Sequence, residues 1–336
     1  MRAKTSEGVA VTRSPRYSGR TGVTAAAKRR FGRLRVSFLM ASALTLAMLQ
    51  TGFSAAFGQD TAVTGQSRGT GAVATGAARP FAIYYGSDQL PALSGFQTLV
   101  LDGIEHPNLG KIRADAALRG IKPLLLGYLS LGEIDPNRPW RSRAIKAGVL
   151  LGENKNWPGS RFIDLRKPFW HDLVIHELIP NVLRAGFDGV FYDTLDDAEY
   201  LETLNPRKYA GMKAAAAKLV RDIHAAFPGV PVMMNRGLDL LPEIGCTVDM
   251  VLGESLLTSY SDKPRRYRLV PENDYTSAVN TLKQFQQACP NLRIYTVDYW
   301  ELKDRPGVAA IYRRQEGNGF LPYVATPDLG KIGPAP

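Results

Sequence analysis

A single (β/α)8 barrel is the fold class this sequence predicts, and three observations predict it. Eight short apolar runs recur along the chain. They are nearly continuous in hydrophobicity rather than alternating, as parallel strands covered on both faces require. Several of them stop at an acid, an amide or an aromatic, which is how such a barrel delivers functional groups to its C-terminal face. The clearest case is Gly186-Phe187-Asp188-Gly189-Val190-Phe191-Tyr192-Asp193-Thr194, where a helix ends at Gly186 and an acid sits where the strand stops.

The runs are Phe81–Tyr85, Thr98–Leu101, Pro123–Tyr128, Gly189–Tyr192, Pro231–Met234, Met250–Gly253, Leu292–Val297 and Leu321–Val324. Helical patterns lie between them. Pro168 opens one at a favoured first position; its stripe of Trp170, Leu173, Val174, Leu178 and Val182 predicts a helix kinked at Pro180 and ended at Gly186. Met212, Ala216, Leu219 and Ile223 form a second stripe, stopped by Pro228-Gly229, and Ala278, Leu282 and Phe285 form a third. Strands alternating with helices over roughly 250 residues match the size of this barrel. An open doubly wound sheet is the runner-up, but the glycine-rich phosphate turn usual after its first strand is absent. From Glu133 to Pro168 the chain is rich in Arg, Asn, Pro and Trp, with one short apolar piece at Phe162-Ile163. It reads as an enlarged loop after the third strand, of the kind that shapes a binding site.

The barrel is expected over residues 80–330. Ahead of it, residues 1–58 read as a signal peptide: a basic stretch from Lys28 to Arg35, an apolar run from Val36 to Met48, and Ala56-Phe57-Gly58 before a cut at Gln59. An uncleaved anchor is the alternative, because residues 36–58 carry no charge; only then would a membrane be a partner. Residues 59–79, rich in Gly, Thr and Ala, read as a flexible linker. The formal charge of +11 belongs to the leader. It holds ten of the 42 basic residues and one of the 31 acids, so the remainder carries 32 against 30, a net +2. A nucleic-acid partner therefore loses its electrostatic support. Secretion or a periplasmic location follows, and there the two cysteines, Cys246 and Cys289, permit a disulfide. Two buried free thiols are the other reading.

The strand ends would gather Tyr85, Asp102, Tyr128, Glu133, Asp193, Asn235, Glu254, Asp298 and Tyr299 at one mouth, with Asp164 on the long loop. Aromatic rings stack on sugar faces, and carboxylates and amides bond hydroxyls. Cleaving a glycosidic bond needs two flanking carboxyl groups. Other chemistries fit less well. The four histidines fall on helices or connecting loops without metal-ligand spacing, and no Gly-x-Ser-x-Gly elbow or phosphate loop occurs. No metal or cofactor is expected.

Each candidate has a structural alternative. Asp193 could cap a helix or pair with an arginine, and Glu254 could form a buried ion pair. Glu133 could bridge Arg138 or Arg141, and Asp164 could bridge Arg166. Asp196 and Asp197 read as helix N-terminal acids. Asp298 and Tyr299 could line the barrel top, and Trp140 and Trp157 could be loop packing.

The segments Tyr128-Leu129-Ser130-Leu131-Gly132-Glu133, Trp157-Pro158-Gly159 leading to Phe162-Ile163-Asp164, Gly186 to Asp193, Asn235-Arg236-Gly237, Gly253-Glu254 and Val297-Asp298-Tyr299, taken in order, resemble glycoside hydrolase family 114. The resemblance covers about residues 81–325. It implies a (β/α)8 barrel with endo-α-1,4-polygalactosaminidase-like activity on a galactosamine or N-acetylgalactosamine polymer. It also implies that the acids ending strands four and six, Asp193 and Glu254, form the catalytic pair; of the two, Asp193 would be the nucleophile and Glu254 the general acid/base on the mechanism such a pair serves. Asp164, Glu133, Asn235, Asp298 and Tyr299, with Tyr85, Asp102 and Tyr128, would bind substrate. A polysaccharide-binding barrel without turnover, or a sugar lyase or epimerase, would keep the same mouth.

Overall fold

The computed structural model describes residues 78–262 and 264–335. The expected leader and almost all of the expected linker lie outside them. Eight strands form one parallel sheet in sequence order: β1 Arg79–Tyr84, β2 Phe96–Asp102, β3 Leu124–Ser130, β4 Gly189–Asp193, β5 Val232–Asn235, β6 Met250–Glu254, β7 Arg293–Tyr299 and β8 Leu321–Ala325. All eight predicted strands are present. The sheet curls until β1 and β8 lie side by side, making a nearly closed barrel. The seam is packed: the Phe81 ring on β1 meets Tyr323 on β8 at 6.0 Å and Tyr295 on β7 at 5.0 Å. Inside the ring, the hydroxyls of Thr98 (β2) and Tyr295 (β7) meet across the barrel at 3.2 Å. The C-terminal segment also crosses the seam, where the Tyr85 N–H donates to Leu329 O at 2.9 Å.

The helices bury the predicted stripes. Met212, Ala216, Leu219 and Ile223 face inward from the helix Met212–Ala226, which Phe227 ends. The segment after Pro168 is not one helix. A π-turn at Val174–Leu178 separates Pro168–Leu173 from Ile179–Arg184. Pro180 lacks the N–H that a regular helix would use, and the wider turn just ahead of it absorbs that loss.

Two excursions depart from the simple βα plan. The stretch after β3 is more ordered than a loop. It folds into a three-stranded antiparallel sheet in the order Glu133–Ile134, Arg161–Ile163, Leu150–Glu153, with a helix at Arg141–Lys146. Phe162 and Ile163 are buried in it, and Trp140 packs on the core. After β6 the chain makes a hairpin, Thr258–Asp262 with Arg265–Leu269, that the apolar periodicity did not reveal. Its strands are Tyr- and Arg-rich, and the signal for it in the sequence was Pro264 between them.

Cys246 and Cys289 are bonded, with Cα atoms 5.5 Å apart. Cys246 lies just ahead of β6 and Cys289 just ahead of β7, and β6 and β7 are neighbours. The bridge closes a loop of 43 residues. On the chain-entropy account, replacing both cysteines with serine is expected to cost about 4 kcal/mol. Denaturant unfolding of the double variant against the wild type checks this, and an unchanged midpoint would contradict it.

Candidate active site

The strands run parallel, so their C-terminal ends share one mouth. The register sets Asp193 just past the Tyr192–Met234 pair, level with Asn235, and pairs Val297 with Glu254. At the centre, one nitrogen joins three strands. Asn235 Nδ2 donates to Asp193 Oδ1 at 2.9 Å and to Glu254 Oε2 at 2.7 Å. Those two oxygens can be no further apart than the total of the two lengths, about 5.6 Å, and a bent path through an amide nitrogen makes the gap smaller still.

The surroundings of the two acids differ. Asp193 Oδ1 also accepts the Thr194 N–H at 2.9 Å. Burial raises the Asp193 carboxyl, while the Asn235, Tyr128 and Thr194 donors pull the other way. Glu254 Oε1 accepts from the Tyr299 hydroxyl at 3.0 Å. Burial first, then the charge of Asp193, pushes Glu254 up to about 8, against the opposing pull of Arg236, Asn235 and Tyr299. One acid is therefore readied to hold a proton near neutral pH beside another held by three donors.

The backbone here is strained in a pattern. Four described non-glycine residues have positive φ, and three of them, Thr194 (66°), Arg236 (52°) and Ser255 (56°), directly follow Asp193, Asn235 and Glu254. Such conformations persist only where neighbours hold them. Thr194 is held by its Oγ1, which donates to Asp193 O at 2.6 Å and accepts from Gly132 N–H at 2.8 Å. Gly132 has to be glycine, because a Cβ there would lie 1.9 Å from Thr194 O.

The other candidates divide by what their polar atoms meet. Tyr85 and Tyr128 pack edge to face at 5.3 Å beside Asp193. Tyr299 reaches Glu254 directly. Asp102 is gripped by Arg138 (3.0 and 3.3 Å) and by the N–H groups of Ile104 and Glu105, so it ties the excursion to β2. Asp164 is paired with Arg166 at 2.8 and 3.0 Å. Burial alone would raise that carboxyl, but Arg166 outweighs it and the net shift is downward. Asp298 is fully buried and accepts from Leu257 N–H, Thr258 N–H and Gln315 Nε2, which pins the hairpin to β7.

Glu133 bridges neither Arg138 nor Arg141. Its oxygens accept from Asn154 and, at 2.6 Å, from Ser160. Beside it lies Asp197, buried, with neither oxygen in hydrogen-bond geometry with a partner. Burial and then the charge of Glu133 hold the Asp197 carboxyl well above its usual range. Arg236 pairs with Asp196 at 3.1 Å. Sequence reasoning missed Thr194, Asn154, Ser160 and Gln315: short polar side chains carry no spacing signal, and their roles come from the fold.

Among the described residues, no three His, Cys, Asp or Glu are grouped to hold a metal ion. The arrangement offers two close carboxyl groups in unlike environments, ringed by tyrosines.

Known structures share this barrel. The glycoside hydrolase domain of PelA from Pseudomonas aeruginosa superposes with a TM-score of 0.63 at 25% identity, covering 76% of this chain and 97% of that one. Ega3 of Aspergillus fumigatus, solved in complex with galactosamine, shares the fold with a TM-score of 0.56 at 15% identity, covering 78% and 97%. An uncharacterised protein of Deinococcus radiodurans is 24% identical over 256 residues, 74% of this chain and 79% of that protein. The model of glycoside-hydrolase family GH114 matches residues 63–336, and the chain belongs to that family.

Proposed function

We propose that this protein is an exported, retaining glycoside hydrolase that cuts an α-linked galactosamine or N-acetylgalactosamine polymer, with Asp193 as nucleophile and Glu254 as general acid/base. The observation that carries the reading is the Asn235 amide shared by the two acids. It holds one oxygen of each acid within about 5.6 Å of the other, a separation nearer the ~5–5.5 Å of retaining enzymes than the ~6.5–9.5 Å of inverting ones.

In the first step an Asp193 oxygen bonds to the anomeric carbon as the glycosidic C–O bond breaks. The electron pair goes to the leaving oxygen, which takes the Glu254 proton. In the second step Glu254, now a carboxylate, takes a proton from water. The water oxygen bonds to the anomeric carbon and the ester bond to Asp193 breaks, restoring both groups.

The galactosamine bound in the Ega3 structure and the charge of the mouth support the amino-sugar substrate. Arg138 and Arg236 neutralise Asp102 and Asp196, whereas no ion pair with a cationic side chain is formed by Asp193 or Glu133 among the described residues. The remaining negative field favours an ammonium group. The Cys246–Cys289 bridge and the basic-then-apolar leader support export, since disulfides persist in oxidising compartments.

Proton NMR of an α-1,4-galactosamine oligomer during hydrolysis tests the reading. The α-anomer is expected to appear first. First appearance of the β-anomer would remove Asp193 as nucleophile, and binding without new reducing ends would favour a barrel without turnover.

Polymer length has its own support. The hairpin sets Tyr260 against Tyr267 at 5.1 Å, and Tyr267 against Trp300 at 5.9 Å, directly after Tyr299. These rings sit past the C-terminal ends of β6 and β7, the end of the barrel that carries Glu254 and Tyr299. Tyr267→Ala is expected to raise KM for long polymer by about 2- to 10-fold, the worth of one aromatic contact, with a smaller change for a short oligomer. Equal effects on both lengths would exclude the rings as a polymer surface.

A further inference from the structure

The geometry points to Asn235 as the positioning residue that decides which oxygen of each acid reacts. The inference rests on the reading of Asp193 and Glu254 as the pair and adds atoms to it. A side-chain amide nitrogen carries two hydrogens and accepts nothing. Asn235 turns one hydrogen to Asp193 Oδ1 and the other to Glu254 Oε2. The opposite orientation would set an amide oxygen against both carboxyl groups, so the assignment is fixed by its partners. The price of this orientation is visible: Asn235 Oδ1 is buried and has no hydrogen-bond partner.

Consequences follow for each acid. Asp193 Oδ1 holds two N–H donors, from Asn235 and from Thr194, which stabilise charge on it. Oδ2 carries neither N–H and is the oxygen that attacks, with the Tyr128 hydroxyl the remaining donor to this carboxyl. On Glu254, Oε2 accepts the Asn235 N–H, a place that suits the carbonyl oxygen of a carboxylic acid, the stronger acceptor, better than its hydroxyl oxygen. Oε1 faces the Tyr299 hydroxyl at 3.0 Å, and a hydroxyl can turn from donor to acceptor. The acid form therefore carries its proton on Oε1, and Oε1 delivers it. The strained Arg236 backbone, φ 52°, with its N–H on Leu252 O at 2.9 Å, fixes the end of β5 on which this depends.

The test compares Asn235→Leu, similar in size but without donors, and Asn235→Asp, the same in shape. Asp193→Ala and Glu254→Ala serve as controls. The readouts are kcat/KM against pH on an α-1,4-galactosamine oligomer, and thermal unfolding. Removing donors to both charged forms raises both ionisations, so both limbs of the Asn235→Leu profile should move to higher pH by about one unit. Its kcat should fall about a hundredfold while KM changes little. Asn235→Asp, which adds a third acid, should move the alkaline limb upward as well. If Asn235→Leu is unfolded, the shape-preserving Asn235→Asp decides alone. A folded variant with a slower rate but an unmoved profile would reduce Asn235 to scaffolding and overturn the inference. Full activity of the two control variants would instead remove the catalytic pair itself.

Discussion

Replacing Asp193 with asparagine is expected to slow hydrolysis of an α-1,4-galactosamine oligomer by about 10³- to 10⁴-fold or more while leaving its binding within a few fold. The reason lies in the position of the side chain. Asp193 is buried where β4 ends and held by Asn235 and by the Thr194 N–H, so a neutral amide of the same shape keeps the packing and loses only the negative oxygen. Calorimetric binding and reducing-end release, measured on one preparation, separate the two effects. Unchanged hydrolysis would exclude Asp193 as nucleophile. Lost binding together with lost hydrolysis would mean that the residue mainly shapes the pocket.

The second large effect concerns Glu254. The wild type should show a bell-shaped profile whose alkaline limb falls near the value of about 8 to which burial and Asp193 push this carboxyl. The sign follows from the role: a group that must donate a proton fails once pH rises through its ionisation. The acidic limb reports Asp193, which must be ionised, so activity is lost as pH falls. Close acids titrate together, so both limbs belong to the pair. Glu254→Gln should remove the alkaline limb and lower the rate about 10²- to 10⁴-fold on natural linkages. A substrate with an acidic leaving group, such as an α-galactosaminyl fluoride, needs no proton and should recover most of the first-step rate. Asp193→Asn should gain nothing from that substrate. An alkaline limb that survives in Glu254→Gln would assign the acid to another residue.

The fold was largely legible in the residues. Parallel strands covered on both faces need near-continuous apolar runs, and Val190-Phe191-Tyr192 or Met250-Val251-Leu252 leave little other use for such a segment. The departures are the pieces stabilised by polar and long-range contacts. The small sheet built on Glu133–Ile134 is held by Asn154, Ser160 and the Asp102–Arg138 pair, partners up to 36 residues apart in sequence. The hairpin Thr258–Leu269 relies on Asp298, 40 residues further on. Neither has an apolar period to read.

The candidate site was half legible. That acids end β4 and β6 could be read from Asp193 and Glu254 alone, because a strand's last residue in a parallel barrel faces the mouth. What each acidic side chain meets could not be read. Asp102, Asp164 and Asp298 looked like the others on the page, yet the fold gives each of them arginine, amide or backbone donors.

By itself the sequence determined the barrel, the order of its strands and the residues at their ends, since local hydrophobic period and turn chemistry act over a few neighbours. Only the tertiary structure decided that the Asn235 amide sits between two acids, that Cys246 meets Cys289, and that Arg138 and Arg236 neutralise two of the other carboxylates. Those are distances between residues remote along the chain. Electrostatics, which sets which acid keeps its proton, depends on such distances and on burial, and neither exists until the ring has closed.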